Sequence, residues 1–133
     1  MSYNPILIVA GEPNSIFLEI FFKTLKKTRI IKRPLILIAS SNLVRLQMKK
    51  LNFKKKIKIL DKKNFLSLNL NNKSINLINI NYKTNKAFES ISSKSNKYID
   101  NCFKTAFRII RETNIRSLVT GPISKKTFLN KKY

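Results

Sequence analysis

The chain has 133 residues, enough for one domain with a real core and too few for two ordinary ones. Its hydrophobic fraction of 43% excludes a disordered chain, and the absence of histidine excludes a histidine general base, a Ser-His pair and histidine metal ligands. Lysine and arginine number 28 against 6 acidic residues, a net charge of +22, which points either to a polyanionic partner or to a general compositional bias.

Bias has support, because Lys, Asn and Ile exceed two fifths of the residues, as A/T-rich coding would produce, and the lysines are spread along most of the chain. Cys102 is the sole cysteine, which excludes an intrachain disulfide and fits a reducing compartment. It lies inside a helical pattern and reads as a small core residue rather than a nucleophile. The N-terminus has no basic segment followed by an apolar one, and the apolar runs fall far short of the roughly 20 residues of a spanning helix. A cytoplasmic protein without membrane contact is expected.

Pro5 to Ala10 is an apolar, β-branched run bounded by Gly11, the pattern of a buried parallel strand. Gly11-Glu12-Pro13-Asn14-Ser15 is turn chemistry, with Asn14 or Ser15 able to cap a helix. Phe17, Phe21 and Leu25, widened by Ile16 and Ile20, predict a helix over 16–27. Pro34 to Ala39 is a second buried strand, and Ser40-Ser41-Asn42 caps a helix over 43–51. Lys56 to Leu60 alternates and suits a strand with one wet face; 69–74 is an Asn-rich loop; Ile75 to Ile80 suits a short strand. Residues 84–95 read as an exposed polar loop. Ile99, Cys102, Phe103, Ala106, Ile109 and Ile110 share one face of a helix over 96–112. A short buried strand, Ser117 to Val119, then runs into the tight turn Thr120-Gly121-Pro122 and on to Lys125, with a further helix possible over 125–130. Repeated βα units predict an α/β chain: a mostly parallel sheet with flanking helices. Ligands of such sheets bind beyond the carboxyl ends of the strands, so the turn leading to Lys125 is a candidate wall of a site.

Two stretches carry a resemblance: Gly11-Glu-Pro-Asn-Ser-Ile-Phe-Leu-Glu-Ile20 and Leu118-Val-Thr-Gly-Pro-Ile-Ser-Lys-Lys126. Together they resemble the N-terminal part of the 4-hydroxythreonine-4-phosphate dehydrogenase family of pyridoxal phosphate biosynthesis. That family has G-D/E-P-x-G-I-G-P-E at the head of its first helix and later a strand ending T-A/G-P-I/V-x-K. Ser90 to Ala106 is similar to the polar segment and long helix that precede that strand. Ser15, Phe17 and Leu18 depart from the pattern, standing where the family has Gly, Gly and Pro. The family's later G-H-T-E segment, its three metal-binding histidines and its phosphate-binding residues have no counterpart here.

The resemblance implies the N-terminal part of an isocitrate/isopropylmalate dehydrogenase-like fold, so that residues 1–133 form a single incomplete α/β domain of a longer two-domain enzyme. It implies NAD-dependent oxidation and decarboxylation of 4-phosphooxy-threonine, with a divalent metal as Lewis acid and a homodimer housing the site in an interdomain cleft. The chain is then either a fragment or a truncated relative, and neither NAD nor metal is expected to bind it alone. Lys125, Thr120, Glu12 and Glu19 become candidates to line the cleft or meet substrate. Gly11, Pro13, Gly121 and Pro122 shape the turns, and no residue is assigned as catalytic or metal-ligating. Each has a plainer reading: Lys125 as a solvated lysine, Glu12 as a turn former, Glu19 as a wet helix residue. An apolar patch near Phe17, Phe21 and the loop after Pro122 is expected where a missing part would pack. The alternative is a non-catalytic basic module for nucleic acid or an acidic partner. The cluster Lys54-Lys-Lys-Ile-Lys58 would serve it, or else be a solvated edge.

Overall fold

Runs such as Ile6-Leu-Ile-Val9 and Leu35-Ile-Leu-Ile-Ala39 are apolar at every position, so they must be covered on both faces. The computed structural model describes residues 4–27 and 32–124. Its elements are β1 (Ile6–Val9), α1 (Phe17–Lys26), β2 (Leu35–Ala39), α2 (Ser41–Lys50), β3 (Ile57–Ile59), β4 (Ile75–Asn79), α3 (Asn96–Glu112) and β5 (Ser117–Thr120). Single 3-10 turns lie at Phe65–Ser67 and Ser93–Ser95. The strands form one sheet in the order β3-β4-β2-β1-β5, every neighbouring pair parallel.

The period-2 alternation divides the core into two layers. Ile8, Ala10, Leu35, Leu37, Ala39, Ile75 and Leu77 face α1 and α2, packing on Leu18, Phe22, Leu43 and Val44. Leu7, Val9, Ile36, Ile38 and Ile78 face α3, packing on Ile99, Cys102, Ala106 and Ile109. Phe22 of α1 stacks on Phe53, which follows α2, at 4.9 Å between ring centres. Such a pair adds about 0.5–1.5 kcal/mol beyond the area it buries.

Helix starts follow local chemistry. The Ser40 hydroxyl accepts from the Leu43 N–H at 3.1 Å, so α2 begins at Ser41, two residues earlier than its apolar pattern predicts. The Asn-rich loop does more than connect. Asn72 takes the Leu35 N–H on its Oδ1 and donates Nδ2 to the Arg33 carbonyl, while buried Asn76 donates to the carbonyls of Leu35 and Asn71. These amides satisfy backbone groups at the entry to β2.

Two expectations are corrected. β5 is a sheet edge rather than a buried strand: Ser117 and Leu118 are half-buried, Val119 and Thr120 exposed. Among the described residues only β1 pairs with it, so one flank lacks cover. The apolar patch also differs. Phe21 turns into the core with Leu25, and the exposed apolar side chains here are Ile16 (66%), Ile20 (50%) and Val119 (48%). Val119 stands opposite Ile8, hence on the sheet face that α1 covers.

Candidate functional site

The chain leaves β1 towards β2 on one side and returns to β1 as β5 on the other, so the sheet's switch point lies between the carboxyl ends of β1 and β5. The two motif turns meet there. The Gly121 N–H donates to the Val9 carbonyl and the Glu12 N–H to the Pro122 carbonyl, each at 2.7 Å. Gly11 has φ +73°, and a Cβ on it would lie 2.5 Å from the Pro122 oxygen. A Cβ on Gly121 would run into the Ala10 carbonyl and the Phe17 ring. Both glycines are thus required by the approach of one turn to the other.

Glu12 is buried at this junction. Its carboxylate accepts from the Ser95 hydroxyl at 3.2 Å and from the Asn14 N–H, also at 3.2 Å, with Asn14 Nδ2 at 3.4 Å. Ser95 immediately precedes α3, so the carboxylate sits at the positive end of a 17-residue helix. A buried acid is thereby held by neutral donors and a helix dipole, with no lysine or arginine of the described residues among its hydrogen-bond donors.

The segment 84–95 is packed against this end of the sheet rather than lying as a free loop. Asn14 Oδ1 accepts from the Glu89 N–H at 2.8 Å, and Asn42 Nδ2 donates to the Thr84 carbonyl at 2.7 Å. Gln47, fully buried, donates its Nε2 to the carbonyls of Pro13 and Ala87 at 2.8 and 2.9 Å. Within the segment, Glu89 accepts from the Thr84 hydroxyl at 2.8 Å and pairs with Lys94 at 3.3 Å, which together hold its carboxyl below the ordinary 4.5. Lys94 also lies over the Tyr82 ring, and burial raises the Tyr82 phenol. Tyr82 packs against Tyr98, whose buried oxygen accepts from the Ser40 N–H at 3.0 Å. Burial raises the Tyr98 phenol well above its usual value.

Of the candidates, Glu12, Gly11, Pro13, Gly121 and Pro122 come together at the switch point, with Thr120 exposed at the end of β5. Glu19 stands apart on the surface of α1, 3.7 Å from Lys23. Lys125 and the possible helix over 125–130 lie outside the described residues. Ser95, Gln47 and Tyr82 are the partners that sequence reasoning did not place, and Asn14, read there as able to cap a helix, bonds instead to Glu12 and the Glu89 N–H. The polar segment before α3 was the only signal for Ser95, and nothing in an amphipathic helix singles out Gln47. Cys102 is fully buried, and burial pushes its thiol up to about 12, which keeps it protonated.

These residues do not fit a metal or a dinucleotide unaided. Among the described residues no three carboxylates or thiols converge, and the Glu12 oxygens already have neutral donors. The two glycines, which would have to open a phosphate cradle, are closed against each other and against Phe17. A cavity of about 290 Å³ lies at the opposite end of the sheet, lined by residues such as Pro5, Phe65, Leu68 and Asn114.

No family model matches the sequence, and no curated protein matches it. Solved structures do. A 4-hydroxythreonine-4-phosphate dehydrogenase from Burkholderia phymatum superposes with a TM-score of 0.80 and 16% identity over 95% of this chain. The enzyme of that name from Klebsiella pneumoniae gives 0.78 and 16% over 93%. The chain has the fold of their N-terminal portion. It spans 38% of the length of each. Among the described residues no helix is long and apolar enough to cross a membrane.

Proposed function

We propose that the chain is the N-terminal portion of an oxidoreductase of the 4-hydroxythreonine-4-phosphate dehydrogenase type, acting in pyridoxine biosynthesis. The supporting observation is the junction itself. The two stretches that resemble the family's motifs are far apart in sequence, yet they close on each other through the Glu12–Pro122 and Gly121–Val9 hydrogen bonds at the switch point. They do so within a fold shared over 93–95% of the chain. In this reading Glu12 organises one wall, through Asn14 and Ser95, and the turn after Thr120 forms the other. The divalent metal, most of the NAD and phosphate contacts, and the second domain come from the part of such enzymes that this chain does not span. The 133 residues alone are inactive, and the complete protein is a cytoplasmic homodimer.

The test is enzymatic. The product of the complete reading frame is assayed for NADH formation from 4-phosphooxy-threonine with NAD and a divalent metal, beside the 133-residue chain. Turnover by the longer product and none by the shorter is expected. A frame that closes at Tyr133, or a longer product without turnover, overturns the proposal; turnover by the short chain overturns its inactivity.

A further inference from the structure

The carboxylates of this protein are not scattered as its lysines are. None of the 6 acidic residues falls within residues 20–60, a stretch that holds 13 of the 28 lysines and arginines. That stretch holds most of α1 and all of β2, α2 and β3. On α3 and the segment before it, by contrast, Glu89, Asp100 and Glu112 are interleaved with bases, and two ion pairs form, Lys94 with Glu89 and Lys104 with Asp100.

The fold gathers part of the acid-free stretch at one corner, where α1 and α2 end and β3 and β4 begin. Lys26 Nζ lies 5.5 Å from the centre of the Phe53 ring. The Asn52 N–H donates to the Lys49 carbonyl, and the Phe53 N–H to the Met48 carbonyl, which turns the chain from α2 into Lys54. The Ile75 N–H donates to the Lys56 carbonyl at 2.8 Å, which brings the loop carrying Lys73 beside the start of β3. Lys26, Lys49, Lys54, Lys56, Lys58 and Lys73 are all exposed, and no carboxylate of the described residues pairs with them.

No one structural role accounts for this set. Cations at helix C-termini suit the dipole, which explains Lys26 and Lys49. Lysine on an edge strand deters pairing with another chain, which explains Lys58. Neither explains Lys54, Lys56 and Lys73, which lie in connecting segments and add like charge to the same corner.

We propose that this corner, centred on the β3 edge, binds the phosphate backbone of a nucleic acid without reading its sequence. Lys56, at the entry to β3, and Lys58 within it are two residues apart, about 6.6 Å along an extended backbone, so their charges form a row on one side of the edge. All six cations are lysines, compact point charges that lack the planar fork used for bidentate contacts to guanine. Phe53, the aromatic at the centre, is buried and offers no platform for base stacking. The array therefore has the chemistry of backbone neutralisation alone. Its linear run along an edge also fits a strand-like polyanion better than a planar lipid surface, because the exposed apolar side chain on β3, Ile59, is a single residue and not the apolar helix face that interfacial binding uses. The corner lies at the opposite end of the strands from Glu12, so this proposal does not depend on the enzymatic one.

The test uses the full chain and a fluorescein-labelled single-stranded RNA oligonucleotide of mixed sequence, followed by anisotropy across a salt series. The slope of log K against log salt is expected near −4, as about six phosphates would give. The K54Q/K56Q/K58Q variant is expected to make that slope shallower by about 2 and to weaken binding about tenfold or more. The K97Q/K104Q/R111Q variant removes equal charge from exposed positions of α3 and is expected to leave the slope unchanged. Circular dichroism verifies that both variants are folded. Equal losses in the two variants would mean that net charge alone binds, and would overturn the proposal. So would absence of RNA binding at physiological salt, or binding to phosphatidylserine vesicles with the same dependence on Lys54, Lys56 and Lys58 and tighter than to RNA.

Discussion

Gly11 and Glu12 show how little room the junction leaves at the level of single residues. Gly11 combines a left-handed φ with a Cβ direction occupied by the Pro122 oxygen. Gly11→Ala therefore adds backbone strain to a steric clash with main chain, which cannot rotate away. A destabilisation of about 2 kcal/mol or more is expected, read as a lowered urea midpoint with an unchanged m-value. An alanine variant within about 0.5 kcal/mol of the parent would show that the turns are not locked together. Glu12→Ala removes the acceptor of the Asn14 N–H, while the Ser95 hydroxyl keeps the Ser92 carbonyl at 3.2 Å, at a cost of about 1–3 kcal/mol. Glu12→Gln keeps an acceptor and should cost less. If the two substitutions cost the same, the carboxylate's hydrogen bonds contribute nothing to the fold.

At the scale of elements, what the sequence displays and what it hides separate by range. β1, β2, α1 and α3 were legible because their patterns are local: alternate Leu7 and Ile8 must meet opposite layers, and Ile99, Cys102, Ala106 and Ile109 recur at helical spacing. The exposure of β5 was not legible, since Ser117-Leu-Val-Thr120 has the composition of a buried strand and only its place in the strand order makes it an edge. Half of the site was equally hidden. Gln47 reaches Pro13 across 34 residues and Ser95 reaches Glu12 across 83, and no periodicity encodes such partners. The segment 84–95 carries its own test. Glu89 has its carboxyl lowered by Thr84 and Lys94, so the folded state prefers the ionised form. Its stabilising effect is complete above the ordinary 4.5 and is lost as pH falls through the lowered folded value. Wild type should exceed Glu89→Gln in urea midpoint at neutral pH, with the gap closing below about 4.5. A gap that stays constant into strong acid would remove Glu89 from the account of how this segment is held.

Across the whole molecule the two core layers share one sheet, so the α3 face cannot open without exposing β1 and β2. Cys102 reports on that cooperativity. It is fully buried against Tyr98 and the central strands, and its thiol is raised from 9.0 to about 12 by burial. The folded state therefore keeps a proton that the unfolded chain releases. The thiol's contribution is fully present below pH 9.0 and is lost as pH rises towards about 12, at roughly 1.4 kcal/mol per pH unit between them. Tyr98, raised well above its usual 10.0 by the same burial, adds a second proton to the alkaline part of that window. Stability should be level near neutrality and fall steeply above pH 9, and Cys102→Ala should flatten the first part of the fall. A thiol reagent supplies the kinetic counterpart. In the native protein at neutral pH its reaction with Cys102 should be limited by unfolding, and the labelling rate should rise with urea along the global unfolding limb. If instead the thiol reacts rapidly without denaturant, α3 detaches locally, and the two layers do not form one cooperative unit.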